Sequence, residues 1–529
     1  MSIGKRESLI SLSFLGNMAL LFCLFAPSAW MITHVPPLWR DADGYNQVAQ
    51  DPLLATYWGH APAYCYLSRL PILLGEQLER HWMESGTQRD PPGSLQPTQT
   101  HLTDTGVWLL IIAQHMMLGL AAWFFIITIS QFFGVRFFLS LLWASNALFY
   151  AFAHCIGSET LSLIAVILLA TLGLRLVRCS SEPRWSIWYS YAVALCICFL
   201  SRHINIWLIV LLPVALALSA LARTRERSTF FVHAVTAFAI GLGTLILGNH
   251  FTDQLAKKSP YHLHSRIGYS FLWRLQFLSN LSPESRTTFL QKMAARTNAT
   301  DVRKLVALLD QIHAENQELS AGPFMRSALP VLFALEDQDQ WEKLDHALNR
   351  MAYTFLIPPP PELLQVASID FRRALSAPVT EISNHLFRAT AYYFQHPDEM
   401  PGCADLITFR AYDSNQIPQL PIQYSYFRLW SRFNYWNALI VWFVGLILLA
   451  ASARNKQNAV IGPVVAFAFT LNLIGLLMVF SACLLVGFLP RYGMPMWQSL
   501  ILSIWIVAGT TADLIVTTQS SRRGSFAAP

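Results

Sequence analysis

Hydrophobic positions in this chain come in long runs broken by short polar stretches, not in the strict alternation of half-buried strands. Ten runs stand out, at roughly 9–31, 106–130, 137–153, 157–176, 186–201, 204–222, 229–249, 436–453, 459–487 and 497–517. A run of about 18 residues or more can cross a bilayer as a helix, the form that satisfies its own backbone in lipid. The pattern predicts an all-α polytopic membrane protein with about ten transmembrane helices. The runs at 137–153 and 186–201 are short, which suits tilted or partly re-entrant segments.

Two polar stretches are large enough to build on. The first, about Thr33 to Thr105, carries Tyr57-Trp58-Gly59-His60-Ala61-Pro62-Ala63-Tyr64, an aromatic and proline-rich sequence suited to the membrane interface. Its later part, Ser85 to Thr100, holds Pro91, Pro92, Gly93 and Pro97 and reads as a surface connector. The second stretch, 250–434, is long enough for a domain of its own. Residues 302–310 have helical apolar spacing with Asp301 available as an N-cap, and 341–353 read the same way. Pro358 to Pro361 must interrupt any helix there. The organisation expected is a membrane module over 1–249 with its first outer loop at 33–105, a helical outer domain over 250–434, and a second membrane module over 435–529.

Composition agrees with the pattern. Of 529 residues 54% are hydrophobic and only 13% charged, against about a quarter charged in soluble domains. The net charge of +6 points to no nucleic-acid partner, because the basic residues sit in short loops beside the runs, where they set orientation. Lys5 and Arg6, Arg136, Arg175 with Arg178 and Arg184, Arg223 with Arg225 and Arg227, Arg454 with Lys456, and Arg522 with Arg523 all fall on one side under alternation through ten spans. That side is the cytoplasm, with both termini inside. The first run has a basic start and ends near Ala26-Pro27-Ser28-Ala29, as a signal peptide would. Its length and the even alternation favour an uncleaved anchor. Most of the eight cysteines lie in or beside runs, as small buried hydrophobes do. Cys65 and Cys403 are the two in the large outer stretches and are candidates to pair in an oxidising compartment.

Charges at membrane depth are costly and usually have a partner or a task. Just after the first run come Leu38-Trp39-Arg40-Asp41-Ala42-Asp43-Gly44-Tyr45, two carboxylates where membrane gives way to water. Asp41 and Asp43 could take a proton from an acceptor hydroxyl or amine, or hold a divalent cation such as Mg2+ or Mn2+. A solvated turn capping a helix from Gly44 is the plain alternative. Arg491, in Leu489-Pro490-Arg491-Tyr492-Gly493-Met494-Pro495, offers a planar fork for phosphate oxygens, against a simple interfacial role. Glu159 opens the fourth run and Arg202-His203 the turn between the fifth and sixth. Glu159 either pairs with Arg202 or meets substrate. His60 and His203 are single polar groups, and Tyr45, Tyr57, Trp58 and Tyr492 are either belt aromatics or sugar-stacking faces. No Walker loop or GxGxxG is present, so nothing suggests nucleotide binding.

The order of these elements resembles the C-type membrane glycosyltransferases, a superfamily that includes protein mannosyltransferases and lipid A aminoarabinose transferases. The resemblance lies in an acidic motif after the first span, Ser158-Glu159 opening the fourth, Arg202 at an outer turn, and Arg491-Tyr492-x-x-Pro495 before the last. The spacing Asp41, Tyr45, Ala49 is similar to that family's first-loop helix. The 250–434 stretch lies outside the resemblance. It implies transfer of a sugar from a polyprenyl-phosphate carrier to a lipid, glycan or protein acceptor at the outer face. Asp41 is then the base or metal-holding acid, Asp43 the competing choice, and Arg491 with Arg202 the holders of lipid phosphate. Asp-Ala-Asp replaces the family's usual Asp-Glu, which leaves open which acid acts and whether a metal is needed.

A lipid or glycan transporter or flippase is the rival from another class, and a non-catalytic assembly subunit a third. A transporter would more often show inverted repeats and broken helices in matching halves, which are not evident here. Asn280-Leu281-Ser282 and Asn298-Ala299-Thr300 are glycosylation sequons on the outer side. A bacterial inner membrane protein facing the periplasm is nevertheless the expectation. The sugar and acceptor are not written in the sequence.

Overall fold

A computed structural model of the chain describes residues 3–39, 62–84, 103–179, 183–222, 227–257, 267–314, 340–379, 381–382, 386–388, 433–453, 461–487 and 489–525. Helix dominates throughout. The first half runs α1 (Ile3–His34), β1 (Leu38–Trp39), α2 (Pro62–Glu84), α3 (Asp104–Ile129), α4 (Phe133–Ala144), α5 (Ala147–Ala153), β2 (Cys155–Ile156), α6 (Ser158–Arg178) and α7 (Trp185–Ser201). A 3-10 helix at His203–Val210 leads into α8 (Leu211–Ala222) and then α9 (Arg227–Ala256). After these come α10 (Ile267–Arg274), α11 (Pro283–Ala295), α12 (Thr300–Ala314), α13 (Gln340–Leu356) and α14 (Pro361–Ser376). The chain closes with α15 (Tyr435–Ala453), α16 (Ile461–Leu485), a 3-10 turn at Pro490–Gly493 and α17 (Met494–Ser525).

Seven segments among the described residues are helical, long and apolar enough to cross a membrane: 14–34, 104–129, 158–178, 203–221, 227–255, 461–485 and 490–518. Three shorter apolar helices, 133–144, 185–201 and 435–451, fall at the remaining expected runs. This is an integral membrane architecture. The α6 helix is its centre, with 89% of its apolar window buried against 22% for α1. A helix apolar on every face must be enclosed by other helices or by lipid, and here helices enclose it. Polar side chains tie neighbours together where no water competes. Gln498 donates to the Leu163 carbonyl at 2.8 Å, Tyr150 to that of Leu24 at 2.7 Å, and Asn205 to Ser162 Oγ at 2.8 Å.

At the opposite end of α6 the expected orienting arginines bond the C-terminal end of α3. Arg178 donates to the carbonyls of Thr128 and Ile129, and Arg136 to that of Ser130. Asp513 of α17 accepts from Ser130 Oγ and from the Gln131 amide. The two arginines satisfy carbonyls that a helix C-terminus leaves open, and the aspartate accepts from the two residues that follow the helix.

The helices of 267–376 form a second hydrophobic cluster, separate from that of the bundle. Phe271, Leu275, Phe289, Leu305, Leu309, Leu344, Leu348, Met351, Phe355 and Leu363 are buried in it. The helices predicted at 302–310 and 341–353 lie inside α12 and α13. Asp301 is not the cap, because α12 starts one residue earlier at Thr300 and Asp301 accepts the Val302 amide from within the first turn. The proline run separates α13 from α14, with Pro361 at the first helical position, where its missing N–H costs nothing. The α9 helix continues to Ala256, past the expected boundary at 249.

Two features had no counterpart in the pattern. The α2 helix lies along α3, and the crossing is close enough that a Cβ on Gly75 would sit 2.2 Å from the Gly106 backbone. The strands β1 and β2 pair in parallel, Leu38 with Cys155 and Trp39 with Ile156.

Candidate functional site

The N-terminal end of α6 is fixed by a polar web. Gly157, extended, donates its amide to Tyr64 Oη at 3.0 Å; Tyr64 donates in turn to Gln114 Oε1 at 3.1 Å. Gln114 spends its amide on the carbonyls of Ala153 and Cys155, at 3.0 and 3.1 Å. Thr160 Oγ1 reaches back to the Cys155 carbonyl at 3.2 Å. The connection from α5 into α6 is therefore held from α2, α3 and α6 together. A Cβ on Gly157 would meet Glu159 Oε2 at 2.9 Å, so the small residue lets that carboxylate fold back over the turn.

Beside this web runs a directional chain of bonds. The Val35 carbonyl can only accept, so His154 Nε2 carries a proton and donates to it at 2.9 Å. A neutral His154 then accepts at Nδ1 from His115 Nε2, 3.0 Å away. His115 Nδ1 must accept in its turn, from Ser28 Oγ at 2.9 Å. Burial pushes the His154 imidazole down to about 4, outweighing the upward pull of its backbone bonds near Val35 and Pro36. Ser28 of α1, His115 of α3 and His154 beside β2 are thereby locked together, and the chain leading into β1 with them.

Glu159 and Arg202 are brought together. Glu159 lies in the first turn of α6, where the helix dipole favours a carboxylate. Arg202 joins the end of α7 to the start of the 3-10 helix, and its Nη2 is 3.6 Å from Glu159 Oε1. Both side chains are largely buried, at 6% and 16% exposed, and Arg202 Nη1 finds no hydrogen-bond partner among the described residues. His203, the next residue, is exposed.

Arg491 and Tyr492 are also brought together, half-buried on the 3-10 turn before α17. The guanidinium lies over the tyrosine ring, 4.9 Å from its centroid, and donates to its hydroxyl at 3.2 Å. This turn shares one end of the bundle with Glu159 and Arg202. Gln498, in the first turns of α17, bonds Leu163 in the first turns of α6. Trp207 of the Arg202 turn donates to Ser481 near the end of α16, at 3.0 Å.

Asp41, Asp43, Tyr45 and His60 lie outside the described residues, as do Tyr57, Trp58 and Cys403. Cys65 is buried in α2, and burial pushes its thiol up. No three His, Cys, Asp or Glu side chains converge as a metal site among the described residues. Glu159 already faces a guanidinium, so the candidate cation ligands remain Asp41 and Asp43. A separate cavity of about 420 Å³ lies between α12 and α13, lined by Asp301, Lys343, His346 and Arg350.

The residues that sequence reasoning missed are Ser28, Tyr64, Gln114, His115 and His154. Gln114-His115 inside an otherwise apolar run was the available signal, since polar groups at that depth need partners. No protein-family model and no curated protein matches the chain.

Proposed function

We propose that the chain is a membrane glycosyltransferase that moves a sugar from a polyprenyl-phosphate carrier to a lipid, glycan or protein acceptor at the outer face of a bacterial inner membrane. The observation that carries this reading is the register of β1 on β2. Trp39 is paired with Ile156, two residues before Ser158-Glu159, and Asp41 follows Trp39 by two residues. The strand that precedes the acidic sequence is therefore paired with the residues that lead into the Glu159 end of α6. Arg491 lies at the same end.

In this reading ten spans cross the membrane and the 250–434 stretch stands outside. The acceptor hydroxyl attacks the anomeric carbon, and the bond from that carbon to the phosphate oxygen breaks. Asp41, or Asp43 in its place, takes the hydroxyl proton, and Arg491 balances the charge on the departing polyprenyl phosphate. Arg202 is a second holder of phosphate, with Glu159 setting its direction. A divalent cation, Mg2+ or Mn2+, would be held by Asp41 and Asp43 if the reaction needs one.

The test is release of free polyprenyl phosphate from a panel of polyprenyl-phosphate sugars by the purified protein, beside Asp41→Asn, Asp43→Asn and Arg491→Ala. Turnover lost in one acid variant, with the protein still folded, supports the transferase and identifies the acid. No turnover with any donor in the presence of lipid, glycan and protein acceptors sinks it and leaves transport or assembly.

A further inference from the structure

The Arg491 turn is not held by its own span alone. Where α16 ends, Val486 and Gly487 both donate their amides to the Ala482 carbonyl, at 2.9 and 3.2 Å, and Gly487 takes a φ of +100°. That conformation suits glycine and stops the helix. Against this stop packs an ion pair from the second hydrophobic cluster. Arg274, the last residue of α10, donates from Nη1 to Asp370 Oδ2 of α14 at 2.5 Å. The arginine side chain is only 4% exposed and the aspartate 15%. A Cβ on Gly487 would lie 3.2 Å from Arg274 Nη1 and 3.7 Å from Asp370 Oδ2, so the pair touches the backbone of the helix stop. Phe371 stands edge-on to Phe480 of α16 at 5.5 Å, and Leu484 packs into the second cluster.

From this geometry we infer that Arg274 and Asp370 are positioning residues for Arg491: the buried pair clamps the helix stop at Gly487 and so sets where the turn four residues later presents its guanidinium. The inference rests on the reading of Arg491 as the holder of the donor phosphate. Nε and Nη2 of Arg274 have no hydrogen-bond partner among the described residues, and among these Asp370 is the group that balances the buried charge. Without it the buried guanidinium loses that counter-charge and is driven towards water. The helix stop packed on it would move too. A phosphate contact depends on placement to a fraction of an ångström, and small displacements far from the chemistry cost rate or binding heavily.

The experiment compares Asp370→Asn, Gly487→Ala, the exchange Arg274→Asp with Asp370→Arg, and Arg491→Ala. Each is read by amide hydrogen exchange over 486–493 and by KM and kcat for a polyprenyl-phosphate sugar. Asp370→Asn should speed exchange at Gly487 and Tyr492 and raise donor KM roughly tenfold, with kcat within about threefold. Gly487→Ala keeps both charges and should do the same through the backbone. The charge exchange should restore most of both readouts. Unchanged exchange and unchanged KM in Asp370→Asn and Gly487→Ala would overturn the inference. If Arg491→Ala leaves donor KM untouched, the phosphate role fails instead, and the exchange data still decide whether the pair holds the turn.

Discussion

A buried imidazole favours its neutral form, because burial penalises the charge. With both rings neutral and His154 Nε2 donating to Val35, the chain from Ser28 to Val35 has one workable proton arrangement, and a proton added at His154 Nδ1 makes His115 turn its own proton towards Ser28. The sign of the pH effect follows. His154 titrates at about 4 in the fold against an ordinary value of 6.5, so the unfolded chain takes up the proton first as pH falls. Stability should be level above pH 6.5, decline as pH drops towards 4, and flatten below. Melting in detergent across that range checks this, and His154→Gln should weaken the dependence. Outright removal, His154→Ala, leaves the His115 proton and the Val35 carbonyl unanswered and should cost about 2–4 kcal/mol. At Glu159 and Arg202, removing one partner takes a counter-charge away from a largely buried group. Glu159→Gln and Arg202→Met should each destabilise, and the double variant should cost less than their sum by about 1–3 kcal/mol in a thermodynamic cycle. Additive effects would show that the two side chains are energetically independent.

Among elements, the crossing of α2 over α3 is the most exposed to a single methyl group. The Glu79 carboxylate accepts the Thr105 amide at 2.7 Å, Thr103 caps α3, and Gly75 rests on Gly106 with no room for a side chain. Gly75→Ala must separate the two backbones and should destabilise by at least about 1–3 kcal/mol, the range for overpacking. A matched Ser68→Ala, elsewhere on α2, should cost less; equal melting temperatures for the two would contradict the crossing. The same elements show what the sequence could and could not convey. Long apolar runs such as 157–176 appear almost unchanged as α6, because a helix apolar on all sides has few other stable forms in lipid. The α2 helix was hidden by Pro71 within it and by interfacial aromatics around it. A two-residue strand carries no alternation to detect, so β1 and β2 were beyond reading. Of the site, Glu159, Arg202, Arg491 and Tyr492 were legible as charges and aromatics in unusual places. The scaffold of Tyr64, Gln114 and His154 depends on contacts between distant parts of the chain and was not.

At the scale of the whole molecule, the distribution of basic loops makes a claim about sides. Arg184 belongs to the face expected in the cytoplasm and Asn298, just before α12, to the face expected outside; both are exposed. In a background without reactive native thiols, Asn298→Cys should be labelled by a membrane-impermeant maleimide in intact cells, and Arg184→Cys only after permeabilisation. The reverse pattern would invert the orientation and with it the face on which any donor is met. Sidedness has a counterpart in time. Leu38 and Trp39 find their partner strand only once Cys155 and Ile156 exist, and Val35 meets His154 across 119 positions of sequence. Synthesis runs at about 5–20 residues per second, so that interval is roughly 6–24 s. Throughout it Leu38 and Trp39 are already made but have no strand to pair with. Newly made protein passes the first three hydrophobic runs without an assembled centre, and the site can come together only when the helix that opens with Ser158-Glu159 joins them.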